Sequence, residues 1–368
     1  MSVNEWTTVL AEWTGEERLL ELLAHHYGLE VTQAQPMGGV LKLHTDQGAY
    51  VLKRVRMKDQ DRWKLLDEVA TYLTDAKKSV RILATPVKTN KGQLVIDGYR
   101  FRYVLLPWIE AAPVQLNGKE DWIKVARHLA EMHQSSKNFA PGDNYREYEW
   151  IGHWQERWQR DLQHLNIFQT AAKWTVQPNE LDHIWLDISR FTIGMMENLL
   201  EYYQKIGGDK LATESSTFGK IRHGRLRQPN ILKGSDGTLH LVDWNELALD
   251  VRAADVAQLL LYAYGRTGSP EILEAILEGY QTKGKCSQEE FALIYARLLF
   301  PEKLIRLLEN TYLNQGLSLD EAVKRVRPLL KIEEKKIGLL QTYHSILKQK
   351  MNVSIPQLDW IRNEIQPS

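Results

Sequence analysis

The sequence predicts an α+β protein with a small β-rich first part and a larger helical second part. Short segments of β-type residues cluster between residues 31 and 106. Longer segments with apolar residues at helical spacing fill most of the chain from residue 121 onwards. One further strand–turn–strand pattern, at residues 221–245, interrupts the helices. A group of strands followed by a group of helices is the pattern expected of an α+β fold.

Composition excludes several classes of protein. The 368 residues include 47 Lys and Arg against 47 Asp and Glu, so the formal net charge is zero and no basic field favours nucleic acid. Cys286 is the single cysteine, which excludes an internal disulfide, disfavours a thiolate zinc site and fits a reducing compartment. Residues 1–6 lack the pattern of a signal peptide. No apolar run approaches the roughly 20 residues that span a bilayer, so no membrane partner is expected.

The first part is predicted to form a sheet with flanking helices. The predicted helices are 16–27, which Gly28 ends, and 59–76; the predicted strands are 31–35, 41–45, 49–55, 94–96 and 101–106. Three features stand in order along this part: a turn at Gly38 and Gly39, Lys53 in a strand, and Glu68 on the following helix. Each feature is common by itself, since a glycine pair is usually only a turn and a strand lysine usually faces solvent.

The second part is predicted to be mainly helical. Helices are predicted at 121–134, 145–165, 181–206, 270–280, 287–299, 301–313, 319–330 and 334–349, and one more is predicted to begin at residue 254. Residues 209–220 are predicted to be a polar link. Ser269 and Ser287 are predicted helix N-caps. Trp150, Trp154 and Trp158 lie four residues apart and would share one helix face. We favour a helix–helix core for this stripe over a substrate-groove wall or a partner-docking surface, because aromatic side chains commonly anchor cores.

Residues 221–245 carry the most informative polar residues in the chain. Two apolar β-type stretches flank a turn at 233–238, with Asn230 before the turn and Asp243 after it. The pattern opens with His223, Gly224 and Arg225. Asn230 and Asp243 thus place an oxygen-bearing side chain on each arm of one hairpin, and oxygen atoms are the ligands that Mg²⁺ prefers.

This layout resembles the catalytic hairpin of the kinase-like fold in its small-molecule branch, the aminoglycoside and choline kinase group. That group reads His-Gly-Asp, four residues, Asn, and then a hydrophobic strand that ends in Asp; here Arg225 replaces the first Asp. The resemblance implies a bilobal protein-kinase-like fold, with an N-lobe at 1–106 and a helical C-lobe at 107–368 that contains the hairpin. It also implies structural roles for His223 and for Asp255, which would accept hydrogen bonds from the loop.

The resemblance further implies ATP and Mg²⁺ as ligands. In the family a glycine turn covers the phosphates, a lysine on the third strand contacts them, and a glutamate on the next helix holds that lysine. The implied nucleotide-binding residues are Gly38, Gly39, Lys53 and Glu68, and the implied magnesium ligands are Asn230 and Asp243. The glycine turn is short and has no side-chain hydroxyl with which to bind phosphate. The alternative is therefore a protein that binds neither ATP nor Mg²⁺.

Arg225 decides between the functions that the sequence permits. Arginine stays protonated, so it cannot be the general base, a group that typically contributes about 10²–10⁴-fold to the rate. Together with Arg222 and Arg227 it makes the loop basic, which suits an anion or an acidic surface. We favour a catalytically silent scaffold or binding protein. The alternatives are an active small-molecule kinase that uses Asp209 or Glu214 as its base, and a sensor that binds nucleotide without transfer.

Residues 38–54 narrow the resemblance to one family within the kinase-like fold. Their Gly-Gly-Val turn, Thr-Asp-Gln-Gly hairpin and Leu-Lys-Arg strand are similar to the spore-coat kinase-like family of endospore-forming bacteria, the CotS and YutH type. That family implies synthesis in the mother-cell cytoplasm during sporulation, deposition on the spore coat, and other spore-coat proteins as partners. The phosphoryl acceptor, the coat partner and the oligomeric state stay open.

Overall fold

The computed structural model describes residues 3–56, 59–75, 83–142 and 145–362. The chain forms two compact units, each built from three stretches. The first unit comprises Met1–Gln115, Asn138–Tyr148 and Gln228–Ala248, and the second comprises Leu116–Lys137, Glu149–Arg227 and Leu249–Ser368. The lobe boundary predicted after residue 106 lies inside the first unit. The predicted hairpin at 221–245 is divided, with residues up to Arg227 in the second unit and the rest in the first.

An antiparallel sheet is the centre of the first unit. Its strands are β1 Val31–Met37, β2 Val40–Thr45, β3 Gly48–Val55, β4 Val95–Asp97 and β5 Arg102–Pro107, in the order β1-β2-β3-β5-β4. The helices of this unit are α1 Val3–Thr14, α2 Leu19–Tyr27 and α3 Gln60–Asp75. Leu41, Leu43 and Leu52 are fully buried in a core shared with apolar residues of α1 and α2. All five predicted strands are confirmed, and so is the helix predicted at 59–76, whose last residue lies outside the described ranges.

The N-terminal part departs from the prediction. Residues 3–14 form α1, a helix that was not predicted, and the helix predicted from residue 16 begins only at Leu19. Glu16 is buried outside the helix, where it accepts hydrogen bonds from the backbone N–H groups of Tyr99 (2.8 Å) and Arg100 (2.7 Å). Such long-range contacts leave no trace in local periodicity. Gly28 ends α2 in the left-handed conformation, as predicted.

The predicted hairpin arms belong to a second sheet of the first unit. After β6 Ala111–Pro113 and the two-residue β7 Ile221–Arg222, a 3-10 turn at Gln228–Asn230 leads into β8 Ile231–Gly234 and β9 Leu239–Leu241. Strands β6, β8 and β9 pair antiparallel in that order. The turn between β8 and β9 is the one predicted at 233–238, so the strand–turn–strand prediction is confirmed. The two-residue β10 Ala248–Leu249 follows.

Helices make up most of the second unit. They are α4 Lys119–Ser135, α5 Trp154–Trp174, α6 Glu180–Lys205, α7 Gly208–Ser215, α8 Ala253–Thr267, α9 Pro270–Gln281, α10 Gln288–Leu299, α11 Glu302–Tyr312, α12 Leu319–Glu334, α13 Lys336–Lys350 and α14 Asp359–Arg362. The N-caps predicted at Ser269 and Ser287 are confirmed, since each side chain accepts a hydrogen bond from a first-turn N–H. Within the described ranges, no helix has both the length and the apolar character required to cross a bilayer.

The tryptophan stripe lies in the core, although its helix starts later than predicted. Helix α5 begins at Trp154 and not at residue 145, because Gly152 has a φ of 72° and the Trp150 N–H donates to Leu249 O (2.8 Å) outside any helix. Trp154 and Trp158 are fully buried, with ring centroids 5.2 Å apart. Trp150 is also buried. The core interpretation of the stripe is confirmed.

The polar link predicted at 209–220 is wrong in its first half, which forms α7. Ala212 and Ser215 are buried on this helix, and tertiary packing must stabilise it, since eight residues are too few for a helix that is stable alone. Gly219 follows with a φ of 139°, and a Cβ atom there would lie 2.6 Å from His133 O. Only glycine lets the chain pass the end of α4 this closely.

Candidate functional site

The predicted phosphate-binding turn is a two-residue hairpin loop between β1 and β2. Gly38 and Gly39 have φ values of 55° and 98°, and Met37 pairs with Val40 across the loop. Two successive positive φ values favour glycine, which adopts them without steric cost. Both glycines are exposed, so the turn offers backbone N–H groups to a ligand but no side-chain hydroxyl.

Lys53 and Asp243 form an ion pair in the first unit. Lys53 lies on β3, opposite Val104 of β5, and its Nζ is 2.7 Å from Asp243 Oδ1. The two side chains are 11% and 20% exposed, so water screens this pair less than a surface pair. Asp243 has a φ of 67°, a left-handed conformation that aspartate tolerates better than most residues and that often marks functional sites. The structure therefore joins a predicted nucleotide residue to a predicted metal ligand.

Glu68 of α3 accepts hydrogen bonds from two groups that sequence reasoning missed. They are the Tyr145 hydroxyl and the Gly142 N–H, the latter at 3.3 Å. Burial, with the nearby Glu68 carboxylate, raises the pKa of Tyr145 well above its ordinary value, so the phenol keeps the proton that it donates. Glu68 and Tyr145 are far apart in the chain, and no local signal in the sequence predicted this contact.

The predicted metal pair flanks the β8–β9 ladder, with Asn230 just before β8 and Asp243 just after β9. Asn230 is 4% exposed, and its carbonyl accepts a hydrogen bond from the Val242 N–H (2.9 Å), next to Asp243. The guanidinium of Arg62 fixes the segment after Asp243 by donating to Asn245 O. The same Nη1 atom lies 2.7 Å from an Asp59 oxygen. This backbone contact brings the chain at Asn230 next to the chain at Asp243, and their role as Mg²⁺ ligands stays a prediction.

Asp255 of α8 organises the loop at 221–227 in the second unit. Its fully buried carboxylate accepts hydrogen bonds from the N–H groups of His223 (2.7 Å) and Gly224 (2.8 Å). Burial alone would raise the pKa of Asp255, but the hydrogen bond from His133 and the neighbouring N–H groups hold it below its ordinary value. The ionised carboxylate thus fixes the loop backbone, which is the structural role that the sequence predicted for this residue.

His133, at the end of α4, bridges Asp255 and Tyr280. Its Nε2 is 3.4 Å from Asp255 and its Nδ1 is 2.7 Å from the Tyr280 hydroxyl. Burial lowers the pKa of His133, so the ring is neutral at pH 7. Because a carboxylate only accepts, Nε2 must carry the proton and Nδ1 must accept from Tyr280. His133 is therefore a packed helix-terminus residue.

The backbone on both sides of Arg225 is clamped by Gln258, a residue that sequence reasoning missed. The Gln258 amide donates to Gly224 O and accepts from the Leu226 N–H (2.7 Å). The Arg225 N–H donates to the ring of His223 (3.1 Å), and the arginine itself is half-buried. Gln258 stands three residues after Asp255 on α8 and so shares a helix face with it, a spacing that offered a signal.

Arg222 is not part of an exposed basic surface. It is 6% exposed, and its Nη1 is 3.0 Å from Asp250, a fully buried carboxylate that also accepts from the Trp154 indole N–H (2.9 Å). Of the three arginines that make the loop basic in sequence, Arg222 is therefore neutralised within the second unit. Arg227 is exposed.

Solved structures of small-molecule phosphotransferases share this fold. An aminoglycoside phosphotransferase from Alicyclobacillus acidocaldarius matches with a TM-score of 0.68 and 15% identity, over 89% of this chain and 96% of that one. A spectinomycin phosphotransferase solved with ADP and spectinomycin matches with a TM-score of 0.59 and 16% identity, over 89% and 97%. A microcompartment-associated aminopropanol kinase matches with a TM-score of 0.54 and 13% identity, over 90% and 97%. At these identities the likeness concerns the fold alone.

The small antiparallel sheet followed by a mostly helical remainder is therefore a kinase-like fold, shared with aminoglycoside phosphotransferases and choline kinases. Residues 20–343 match the family described as "Spore coat putative kinase YutH", and the chain belongs to that family. The endospore coat-associated protein YutH of Bacillus subtilis (strain 168) is 22% identical over 234 residues, which cover 61% of this chain and 63% of that relative. The match thus spans less than two thirds of the relative's length. The predicted family is confirmed.

The contact between His133 and Asp255 predicts a loss of stability in acid. Both groups have lowered pKa values in the folded chain, so the unfolded chain binds more protons as the pH falls below about 6.5 for His133 and below about 4 for Asp255. The free energy of unfolding should be greatest above about pH 6.5 and should decrease below it, by up to about 1.4 kcal/mol per pH unit for each group. Urea unfolding at a series of pH values measures this.

Two variants test whether His133 causes the first part of this decrease in stability. In His133→Gln, the part of the decrease that begins near pH 6.5 should disappear, while the part at lower pH remains. His153→Gln is the matched control, since His153 is exposed at the start of α5 and should leave the profile unchanged. An unchanged slope in His133→Gln would contradict the assignment.

Proposed function

We propose that this protein is a non-catalytic, coat-associated scaffold or binding protein built on a kinase-like fold. The observation that carries the proposal is Arg225, which occupies the position of the catalytic aspartate in a loop whose backbone Asp255 and Gln258 otherwise hold in place. A guanidinium cannot accept the proton of a substrate hydroxyl. Loss of a positioned base typically raises the barrier by about 3–5 kcal/mol.

The ion pair between Lys53 and Asp243 supports the same proposal. In an active phosphotransferase these two charges serve the nucleotide phosphates and the metal ion. Here the two groups lie 2.7 Å apart and neutralise each other. Nucleotide and Mg²⁺ would have to replace this contact, which lowers the net gain from binding them.

The two candidates for a substitute base have other contacts. Asp209 accepts a hydrogen bond from the Tyr203 hydroxyl (2.9 Å). Glu214 is exposed, with Lys210 3.9 Å away on the same helix. These contacts favour the silent scaffold over the active small-molecule kinase.

Membership of the spore-coat family supports the cellular part of the proposal. The relative from Bacillus subtilis is described as endospore coat-associated. By analogy, this chain would be made in the mother-cell cytoplasm, be deposited on the spore coat, and have other spore-coat proteins as its partners. Such a role needs a stable fold with accessible surface and needs no turnover.

Catalytic silence predicts the outcome of a phosphotransfer assay. With Mg²⁺, ATP and a mixture of hydroxyl and amine metabolites, the wild-type protein should consume ATP no faster than Asp243→Ala. Arg225→Asp restores the family's base and should increase substrate-dependent consumption by about 10²-fold or more. Arg227→Asp is the matched control, since it makes the same charge change at an exposed position of the same loop. Wild-type turnover that Asp243→Ala abolishes would contradict the proposal.

A nucleotide-binding protein without transfer is the second candidate. The observation that favours it is the presence of the glycine turn, Lys53, Asn230 and Asp243 within one compact unit. Residues that bind phosphate and metal need no general base. Nucleotide could therefore occupy the site, once the Lys53–Asp243 pair opens, without any chemistry following.

Nucleotide binding predicts thermal stabilisation by ATP and Mg²⁺. A ligand present at 100 times its dissociation constant adds about 2.7 kcal/mol to the free energy of unfolding, so the melting temperature should rise. Lys53→Met should abolish this shift. Lys42→Met should preserve it, since Lys42 lies on the neighbouring strand β2 and instead contacts Trp108 and Glu110. A melting temperature that does not respond to nucleotide would support a scaffold that binds none.

Coat association predicts where the protein accumulates. A fluorescent fusion expressed from its own promoter in a sporulating, endospore-forming host should appear in the mother cell and then concentrate on the forespore surface. Arg225→Asp should localise in the same way, because coat deposition does not depend on the loop's chemistry. A diffuse signal in vegetative cells, with none on spores, would contradict the proposed coat association.

A further inference from the structure

Three side chains with metal-binding atoms converge between α5 and α11, within the second unit. Asp161 and His164 lie three residues apart on α5 and therefore share a helix face, and Glu309 comes from α11. One carboxylate oxygen from each acid and one ring nitrogen of the histidine all lie within 4.8 Å of one another. This cluster is separate from the residues of the kinase-type hairpin.

The buried carboxylate of Asp161 is the observation that indicates a ligand. Its side chain is 1% exposed, and within the described part of the chain neither of its carboxylate oxygens has a hydrogen-bond partner. Burying an ionised carboxylate without partners is strongly unfavourable, so such a group must bind a proton or a cation. Because Asp161 faces the other two members of the cluster, a cation held there would also contact His164 and Glu309.

The neighbours of Asp161 leave a place for that cation. Glu309 Oε1 is 2.8 Å from His164 Nδ1, and Glu309 Oε2 is 3.0 Å from Arg306. The proton shared by His164 and Glu309 can be replaced by a metal ion, since metal binding commonly displaces protons from its ligands. The guanidinium of Arg306 balances the negative charge of Glu309, the second carboxylate of the cluster. The His164 side chain is 25% exposed, which gives the ion a route from solvent.

We propose that Asp161, His164 and Glu309 bind one divalent transition-metal ion, of which Zn²⁺ is the best match. One imidazole and two carboxylates are a ligand set that zinc uses with nitrogen and oxygen donors. Mg²⁺ and Ca²⁺ fit less well, because they prefer a shell made only of oxygen. Three protein ligands leave a fourth position for water on the exposed side of His164. The ion connects α5 to α11 and so stabilises the second unit, whatever the function of the hairpin.

The competing state is a protonated Asp161 with no metal. Burial raises the pKa of Asp161 to about 6, so a neutral carboxyl group is accessible near neutral pH. In that state the His164–Glu309 pair is unchanged, and the proton on Asp161 competes with zinc for the carboxylate. The two states differ in metal content, so a binding experiment separates them.

The experiment uses the purified full chain, stripped of metal with a chelator and then titrated with Zn²⁺ against a fluorescent zinc indicator. The wild-type protein should bind one equivalent and show a higher melting temperature with zinc than without. Asp161→Asn and His164→Gln should each weaken binding by at least about 10-fold and lose the thermal shift. Co²⁺ provides a second readout, since its visible d–d absorption in the wild-type protein should disappear in the same two variants.

Two controls keep the result interpretable. His153→Gln removes an exposed histidine that lies 3.5 Å from Glu156 near the start of the same helix, and it should bind zinc as the wild-type protein does. Asp161→Asn has the size of aspartate without its charge, so the metal-free variant should be at least as stable as the metal-free wild type. Equal zinc binding by all four proteins, or no stoichiometric binding by the wild type, would overturn the proposal in favour of the protonated carboxyl group.

Discussion

The hydrogen bonds accepted by Asp255 are the constraint on which the loop at 221–227 depends. A single buried carboxylate accepts from two consecutive backbone N–H groups and from His133. Such charge-assisted bonds are stronger than neutral ones, and removing the acceptor would deprive three buried or partly buried donors of this partner. The loop geometry is therefore independent of the residue at position 225. An arginine can replace the catalytic aspartate while the backbone conformation is retained.

In the proposed scaffold, the absence of a base and the retention of the loop backbone have different physical origins. Asp255, Gln258 and Gly219 act on backbone atoms, so their contribution to stability persists whether or not the site turns over. The side chain at position 225 bears on catalysis, which the stability of the fold does not require. A protein can therefore lose a catalytic group without unfolding. This explains how a kinase-like fold can serve as a structural component of an assembly.

Ion pairs inside each unit also contribute to the stability of the fold independently of catalysis. Lys53 with Asp243, and Arg222 with Asp250, place opposite charges within about 3 Å. Each pair compensates the desolvation of charges that would otherwise be costly to bury. Asp161 is the exception, because its carboxylate is buried and no described group donates to it. That contrast, more than the proximity of acidic groups, distinguishes the cluster on α5 and α11 from an ordinary network of ion pairs.

The sequence by itself determined the strands along the chain and most of the helices, and through its family resemblance it also predicted the kinase-like fold and the candidate site residues. These follow from periodicity, turn residues and motif spacing, which are local properties of the chain. Only the tertiary structure decided the partners: Asp243 for Lys53, Tyr145 for Glu68, Gln258 for the loop, and Glu309 for the two α5 residues. It also decided where α1, α5 and α7 begin and end, through contacts such as Glu16 with Tyr99. Those contacts join residues far apart in sequence, and burial, which sets their strength, exists only once the chain has folded.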